Sequence, residues 1–185
     1  MKLSSANVVV IGVGNLFRND DGVGCAVIHC LRERPVPGVI FLEETGDGAE
    51  LLGIWRHTHA AILIDAVQSG AAPGGIYRFD ARAQELPAWY SRCSTHSFGV
   101  AEAIELARTL GELPARLIVF GVEGLNFSMG DTLSPEVAET VPQVAARIRE
   151  ELGLIGEFAE HDDDSSAQRS TASEALAAAS LESIS

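Results

Sequence analysis

Apolar residues arrive along this chain in short unbroken runs, and between the runs they recur at helical spacing. Asn7–Gly12 (NVVVIG) is a continuous β-branched run, the pattern of a strand covered on both faces. Gly22–Arg32 places Val23, Ala26, Val27 and Cys30 on one helical stripe. Val39–Glu43 (VIFLE) reads as a second strand, Ala49–His57 as a short helix and Ala60–Asp65 (AAILID) as a third buried strand. After the Pro/Gly turn Ala71–Gly75, Ile76–Asp80 alternates like an edge strand. Gln84–Thr95 has no clear period and reads as irregular. Phe98–Leu110 is strongly amphipathic, and Gly111 is its natural C-terminal stop. Arg116–Val122 is the last strand. Ser134, Pro135 and Glu136 open a final helix, with Ser at the N-cap and Pro in the first turn. It runs to about Leu152, and Pro142 is expected to bend or briefly break it.

Strands alternating with helices predict an α/β three-layer sandwich: a twisted, mostly parallel five-stranded sheet with helices on both faces. The link from Asp65 to Ile76 has no room for a helix, so Ile76–Asp80 is expected as an antiparallel edge strand.

Composition changes after Gly156. Residues 157–185 are rich in Ser, Ala, Glu and Asp and carry a formal charge of −6, against −13 for the whole chain of 185 residues. So little large apolar surface cannot offset the entropy of ordering. Residues 1–156 are expected to form one α/β domain and 157–185 a disordered acidic tail. The strongly negative balance (26 Asp plus Glu against 13 Lys plus Arg) argues against nucleic acid or an anionic membrane as partner. No run approaches the roughly 18 apolar residues of a membrane span. The N-terminus reads as a first strand rather than a signal peptide. Three cysteines (Cys25, Cys30, Cys93) form no paired framework, which suits a reducing cytoplasm.

Three places could carry chemistry. The glycine-rich stretch Gly12–Gly24 lies where a dinucleotide fingerprint would lie, but Phe17 occupies the third glycine position and no Gly-Lys-Ser/Thr follows. Asp20 and Asp21 stand where helix one begins and would compete with a phosphate. One of the two is expected to cap the helix, which leaves the other for another task. Asp65 ends the third apolar run, where a buried carboxylate is costly without a partner. His96 lies in Cys93-Ser94-Thr95-His96-Ser97, just before the amphipathic helix. Ligands of open parallel sheets bind beyond the carboxyl ends of the strands, so Asp21, Asp65 and His96 can converge on one rim. Two carboxylates and an imidazole suit Zn, Ni, Mn or Co with open positions. Cys93 is a rival ligand or nucleophile, with no general base beside it in sequence.

These residues resemble a known family, the hydrogenase maturation endopeptidases, over about Asn7–Leu152. The resemblance rests on Gly-x-Gly-Asn-x-x-x-x-Asp-Asp-Gly-x-Gly (Gly12–Gly24), Ile64-Asp65-Ala66, Ser94-x-His96, Phe120–Gly124 (FGVEG) and Leu133–Val137 (LSPEV). It implies a cytoplasmic endopeptidase that removes the C-terminal extension from the precursor of a nickel–iron hydrogenase large subunit. It further implies that Asp21, Asp65 and His96 form the catalytic, metal-binding site. The metal sensed is nickel carried by the substrate, so the resting site is expected to be empty or to hold a substitute divalent ion. Two other readings stay open: a metal-independent protease in which Asp21 and Asp65 share a proton, and a non-catalytic nickel or precursor chaperone. A third, a small-molecule α/β metallohydrolase, needs no hydrogenase partner. The chain departs from the family at Glu43–Gly48 (EETGDG), where members often carry Asp-Gly-Gly-Thr, and in its acidic tail.

Overall fold

The computed structural model describes residues 8–56, 58–91 and 98–155. The three longest apolar runs become the middle of the sheet. β1 (Val8–Val13), β3 (Ala60–Val67) and β5 (Arg116–Glu123) are buried almost throughout, as strands covered on both faces must be. β2 (Val39–Glu44) and β4 (Ile76–Asp80) flank them, in the order β2-β1-β3-β5-β4. All neighbours are parallel except β4, which runs antiparallel to β5 with Ile76 opposite Val122. The expected edge strand is therefore present, with its expected bounds.

The helices α1 (Val23–Arg32), α2 (Gly48–Trp55) and α4 (Val100–Leu110) follow the apolar stripes. Asp47 caps α2 by accepting from the amides of Ala49 (2.8 Å) and Glu50 (3.4 Å). Gly111 ends α4 in the left-handed conformation at φ 72°. One side of the sheet buries Val9, Ile11, Leu63 and Val119 against Leu51, Trp55, Ile104 and Ala107 of α2 and α4. α1 packs so closely on β1 and β3 that a Cβ on Gly24 would lie 2.6 Å from the Ile64 carbonyl.

Three expectations are corrected. The stretch 84–91 is not wholly irregular: a short helix, α3 (Ala88–Ser91), forms where Pro87 can start a turn. The last helix is not broken at Pro142; residues 135–148 (α5) are continuously helical, so the missing proline donor is absorbed within the helix. β3 continues two residues past Asp65, paired to β5 as far as Val67 opposite Glu123. The chain divides into two compact units, Met1–Ile148 and Arg149–Ser185; of the second, residues 149–155 are helical. The expected tail, 157–185, lies outside the described residues. Among the described residues no helix is long and apolar enough to cross a membrane.

Neither acid of the Asp20-Asp21 pair caps α1, whose start has no side-chain cap. A 3-10 turn (Asn19–Gly22) enters the helix instead and directs the two carboxylates to different tasks. Asp20 is fully buried and accepts four hydrogen bonds from beyond β5: the amides of Leu125 and Asn126 (both 2.8 Å), and the amide (2.6 Å) and hydroxyl (2.8 Å) of Ser134. Ser134 thus precedes α5 as expected, but its hydroxyl serves Asp20. Burial pushes the Asp20 carboxyl up, the four donors pull it down, and the balance is a lowered pKa. Its contribution to stability is therefore present above the ordinary value of 3.8 and is lost as pH falls through the lower folded-state value. Asp20→Ala strands four donors. It is expected to cost about 3 kcal/mol or more in urea unfolding at pH 7, with a smaller loss relative to wild type at pH 3.

Candidate active site

The order β2-β1-β3 makes the chain leave β1 to one side and β3 to the other. A crevice opens at such a reversal, beyond the carboxyl ends of the strands. Here it is a cleft of about 860 Å³, walled by the residues after β1, the end of β2, Asp65 and Ala66 of β3, and Val100 at the start of α4.

Asp21 enters it from the 3-10 turn. Gly14, at φ 135°, folds the chain back so tightly that a side chain there would strike the Asp21 backbone. The Asp21 Oδ2 accepts from the Asn15 amide at 3.0 Å. Asp65 enters from the middle of the sheet. The last β1–β3 pair is Gly12 opposite Ile64, so Asp65 is the first residue of β3 to outrun its neighbour. Its Oδ2 accepts from the Tyr90 hydroxyl at 3.0 Å. Burial, with the charge of Asp21 adding to it, pushes the Asp65 carboxyl up to about 7 against the opposing pull of the Tyr90 bond and the Ala66 amide. Asp21 and Asp65 both line this cleft. The structure thus brings two of the three expected site residues into one cleft. His96 and the rival Cys93 lie outside the described residues. Among the described residues no three acidic, His or Cys side chains group as a metal-binding set.

The wall opposite carries residues the sequence reading did not assign to the site. Glu43 meets His29 Nε2 at 3.3 Å and pairs with Arg32. Cys25, also on the wall, is buried, and both burial and the nearby Glu43 push its thiol up to about 11. Glu44 is pushed up by burial and by the neighbouring Glu50. Glu43 and Glu44 end β2, so the rule that put Asp65 on the rim reaches them too, although acids at the end of a half-exposed strand give no signal of their own. Tyr90 was not readable, since its bond to Asp65 spans 25 residues of sequence. The stretch EETGDG, where the chain leaves the family pattern, divides between two jobs: Glu43 to Gly46 line the cleft, and Asp47 caps α2.

The mouth of the cleft has an apolar lip. Phe17 is 70% exposed and Met129 80%, with Leu16 and Leu125 also exposed. The two loops that carry them are fixed to each other: the Gly130 amide donates to Phe17 (3.0 Å), the Asn19 amide to Gly130 (2.9 Å), and the Arg18 guanidinium to the Phe127 carbonyl (3.2 Å).

Comparisons with known proteins place this fold in a family. The family model described as hydrogenase maturation protease matches residues 25–151. The hydrogenase 2 maturation protease of Escherichia coli (strain K12) is 32% identical over 151 residues, covering 77% of this chain and 91% of that one. The hydrogenase expression/formation protein HupD of Thiocapsa roseopersicina is 28% identical over 167 residues, covering 88% of this chain and 75% of that one. Among solved structures, the hydrogenase maturating endopeptidase HybD from E. coli superposes with a TM-score of 0.68 at 25% identity, covering 81% of this chain and 94% of that one. Fold, cleft and sequence agree, and the chain belongs to the hydrogenase maturation proteases, a family of peptidases.

Proposed function

We propose that this peptidase removes the C-terminal extension of the precursor of a nickel–iron hydrogenase large subunit, in the cytoplasm, once the precursor holds its nickel. Asp21, Asp65 and His96 are the residues that meet the metal and carry the reaction. The observation that supports this most is the presence of Asp21 and Asp65 on one open cleft at the reversal of strand order. Two carboxylates and an imidazole offer oxygen and nitrogen donors to a divalent ion that the substrate already carries. An incomplete set of that kind has little hold on a free ion and gains affinity only when the precursor supplies the remaining ligands. Cutting is thereby tied to metal loading, and the seated metal fixes the register of the tail.

Hydrolysis needs a proton acceptor for the attacking water and a donor for the leaving amine. Asp65, with its carboxyl pushed up to about 7, can do both near neutrality. It takes a proton as the water oxygen adds to the carbonyl carbon, and returns it to the nitrogen as the C–N bond breaks. A second reading draws on the presence of Asp21 and Asp65 in one cleft: the pair shares one proton and activates water, with the metal serving for recognition alone. Leu16 and Phe17, exposed and lining the cleft, suit a protein substrate, since exposed apolar side chains beside a cleft offer a partner a surface to cover.

Four results test this. Wild type is expected to cut nickel-loaded precursor and leave nickel-free precursor intact, and His96→Ala to cut neither, as read by mass spectrometry of the products; equal cutting of both precursors by both enzymes would end the reading. Cleavage that survives a chelator added after loading favours the second reading. Phe17→Ser is expected to raise KM about tenfold with kcat and melting temperature unchanged, since that ring is exposed in the free protein. Finally, the raised Asp65 pKa means that the folded state prefers the protonated carboxyl. The stability this gives is full below 3.8 and is lost as pH rises through about 7. Asp65→Asn is therefore expected to be inactive, yet to gain stability relative to wild type progressively as pH rises from about 4 to about 7, with the full gain above that. The gain is on the order of 3 kcal/mol, read from urea midpoints.

A further inference from the structure

Tyr90 is 2% exposed, and its ring is held on two sides. It meets Phe79 of β4 edge-on (centroids 6.1 Å apart, planes at 90°) and Trp89 at 6.0 Å. Trp89 in turn packs against Tyr77 of β4 at 5.1 Å. The far end of this aromatic wedge is anchored at Glu123, a buried carboxylate at the end of β5. Glu123 accepts from the Ser69 hydroxyl (2.7 Å), the Gly70 amide (2.9 Å) and the Tyr77 hydroxyl (3.3 Å). The near end is the Tyr90 hydroxyl, 3.0 Å from Asp65 Oδ2. The antiparallel strand and the short helix α3 thus converge on one oxygen in the cleft.

We propose that Tyr90 is a positioning residue for the peptidase reaction: its hydroxyl takes up Oδ2 of Asp65 and so presents Oδ1 to the substrate. An aspartate χ2 torsion is broad and, left alone, lets the two oxygens exchange places. A donor with no freedom of its own removes that exchange. Tyr90 has little freedom, because its ring is clamped and only the O–H can turn. Reaction geometry must be kept to about 0.5 Å, and an orienting partner behind a reactive group is how that precision is usually reached. The proposal rests on the role given above to Asp65. It adds that the edge strand β4 serves the site from behind, through a side chain that never meets the substrate.

Tyr90→Phe removes one oxygen and keeps the ring in its wedge. In cleavage of the nickel-loaded precursor it is expected to lower kcat about tenfold, with KM within about twofold and a melting temperature within a few degrees of wild type. A wild-type kcat in this variant would overturn the proposal, as would parallel losses in kcat, KM and melting temperature, the pattern of general loosening. A second measurement needs no substrate. With 13Cζ-labelled tyrosine, the signal that disappears in Tyr90→Phe belongs to Tyr90, and it is expected to shift in Asp65→Asn. No shift would overturn the proposal even if the enzyme cut perfectly. Failure of the wild type to cut the precursor, with the shift present, would instead count against the reading of the substrate.

Discussion

Asp20 reaches complete burial with its charge intact because four donors from residues 125–134 surround the carboxylate. Desolvating an ion is expensive, and only that ring of short bonds makes the burial affordable. Much else follows from it. The loop after β1 and the loop after β5 come from strands separated by β3, and nothing in the sheet would join them. Asp20 joins them, the backbone bridge between Arg18 and Gly130 extends the join, and the apolar lip stands on the result. Asp21, the next residue, is thereby held at the mouth of the crevice, with Gly14 folded beneath it.

The sheet was legible because its central strands are buried on both faces and must be written in unbroken apolar runs. β1, β3 and β5 fall within a residue or two of where those runs place them. The antiparallel strand was legible for a different reason: a connection too short for a helix leaves only one geometry. Where the reading slipped, a long-range partner had changed a local preference. Asp20 and Ser134 are both good capping residues, yet each spends its side chain on the other, more than a hundred positions away. No local pattern can announce that exchange. Pro142 carries a strong local signal for a break, and α5 continues regardless.

The candidate site was legible in the same uneven way. Asp21 and Asp65 stand out because acids are out of place where they occur, one doubled at a helix start and one closing an apolar run. Glu43 and Glu44 do not stand out, since acids at the end of a half-exposed strand are ordinary. It took the cleft to reveal them as a wall. Tyr90 is least legible of all. An aromatic residue beside another aromatic suggests only core, and its one polar atom finds its purpose through the fold.

Under the proposed function, the state of Cys25 bears on how such a cleft would receive a metal carried by its substrate. Soft metals move readily between sulfur ligands, and a thiolate on the wall would offer an arriving ion a second home. With its proton retained to about pH 11, this sulfur is a poor donor throughout the physiological range. The cleft therefore presents hard oxygen atoms to its visitor and keeps its one describable sulfur silent. If the enzyme inspects a metal-loaded precursor as proposed, it needs that restraint, for a protein that captured the ion would dismantle the thing it is meant to finish.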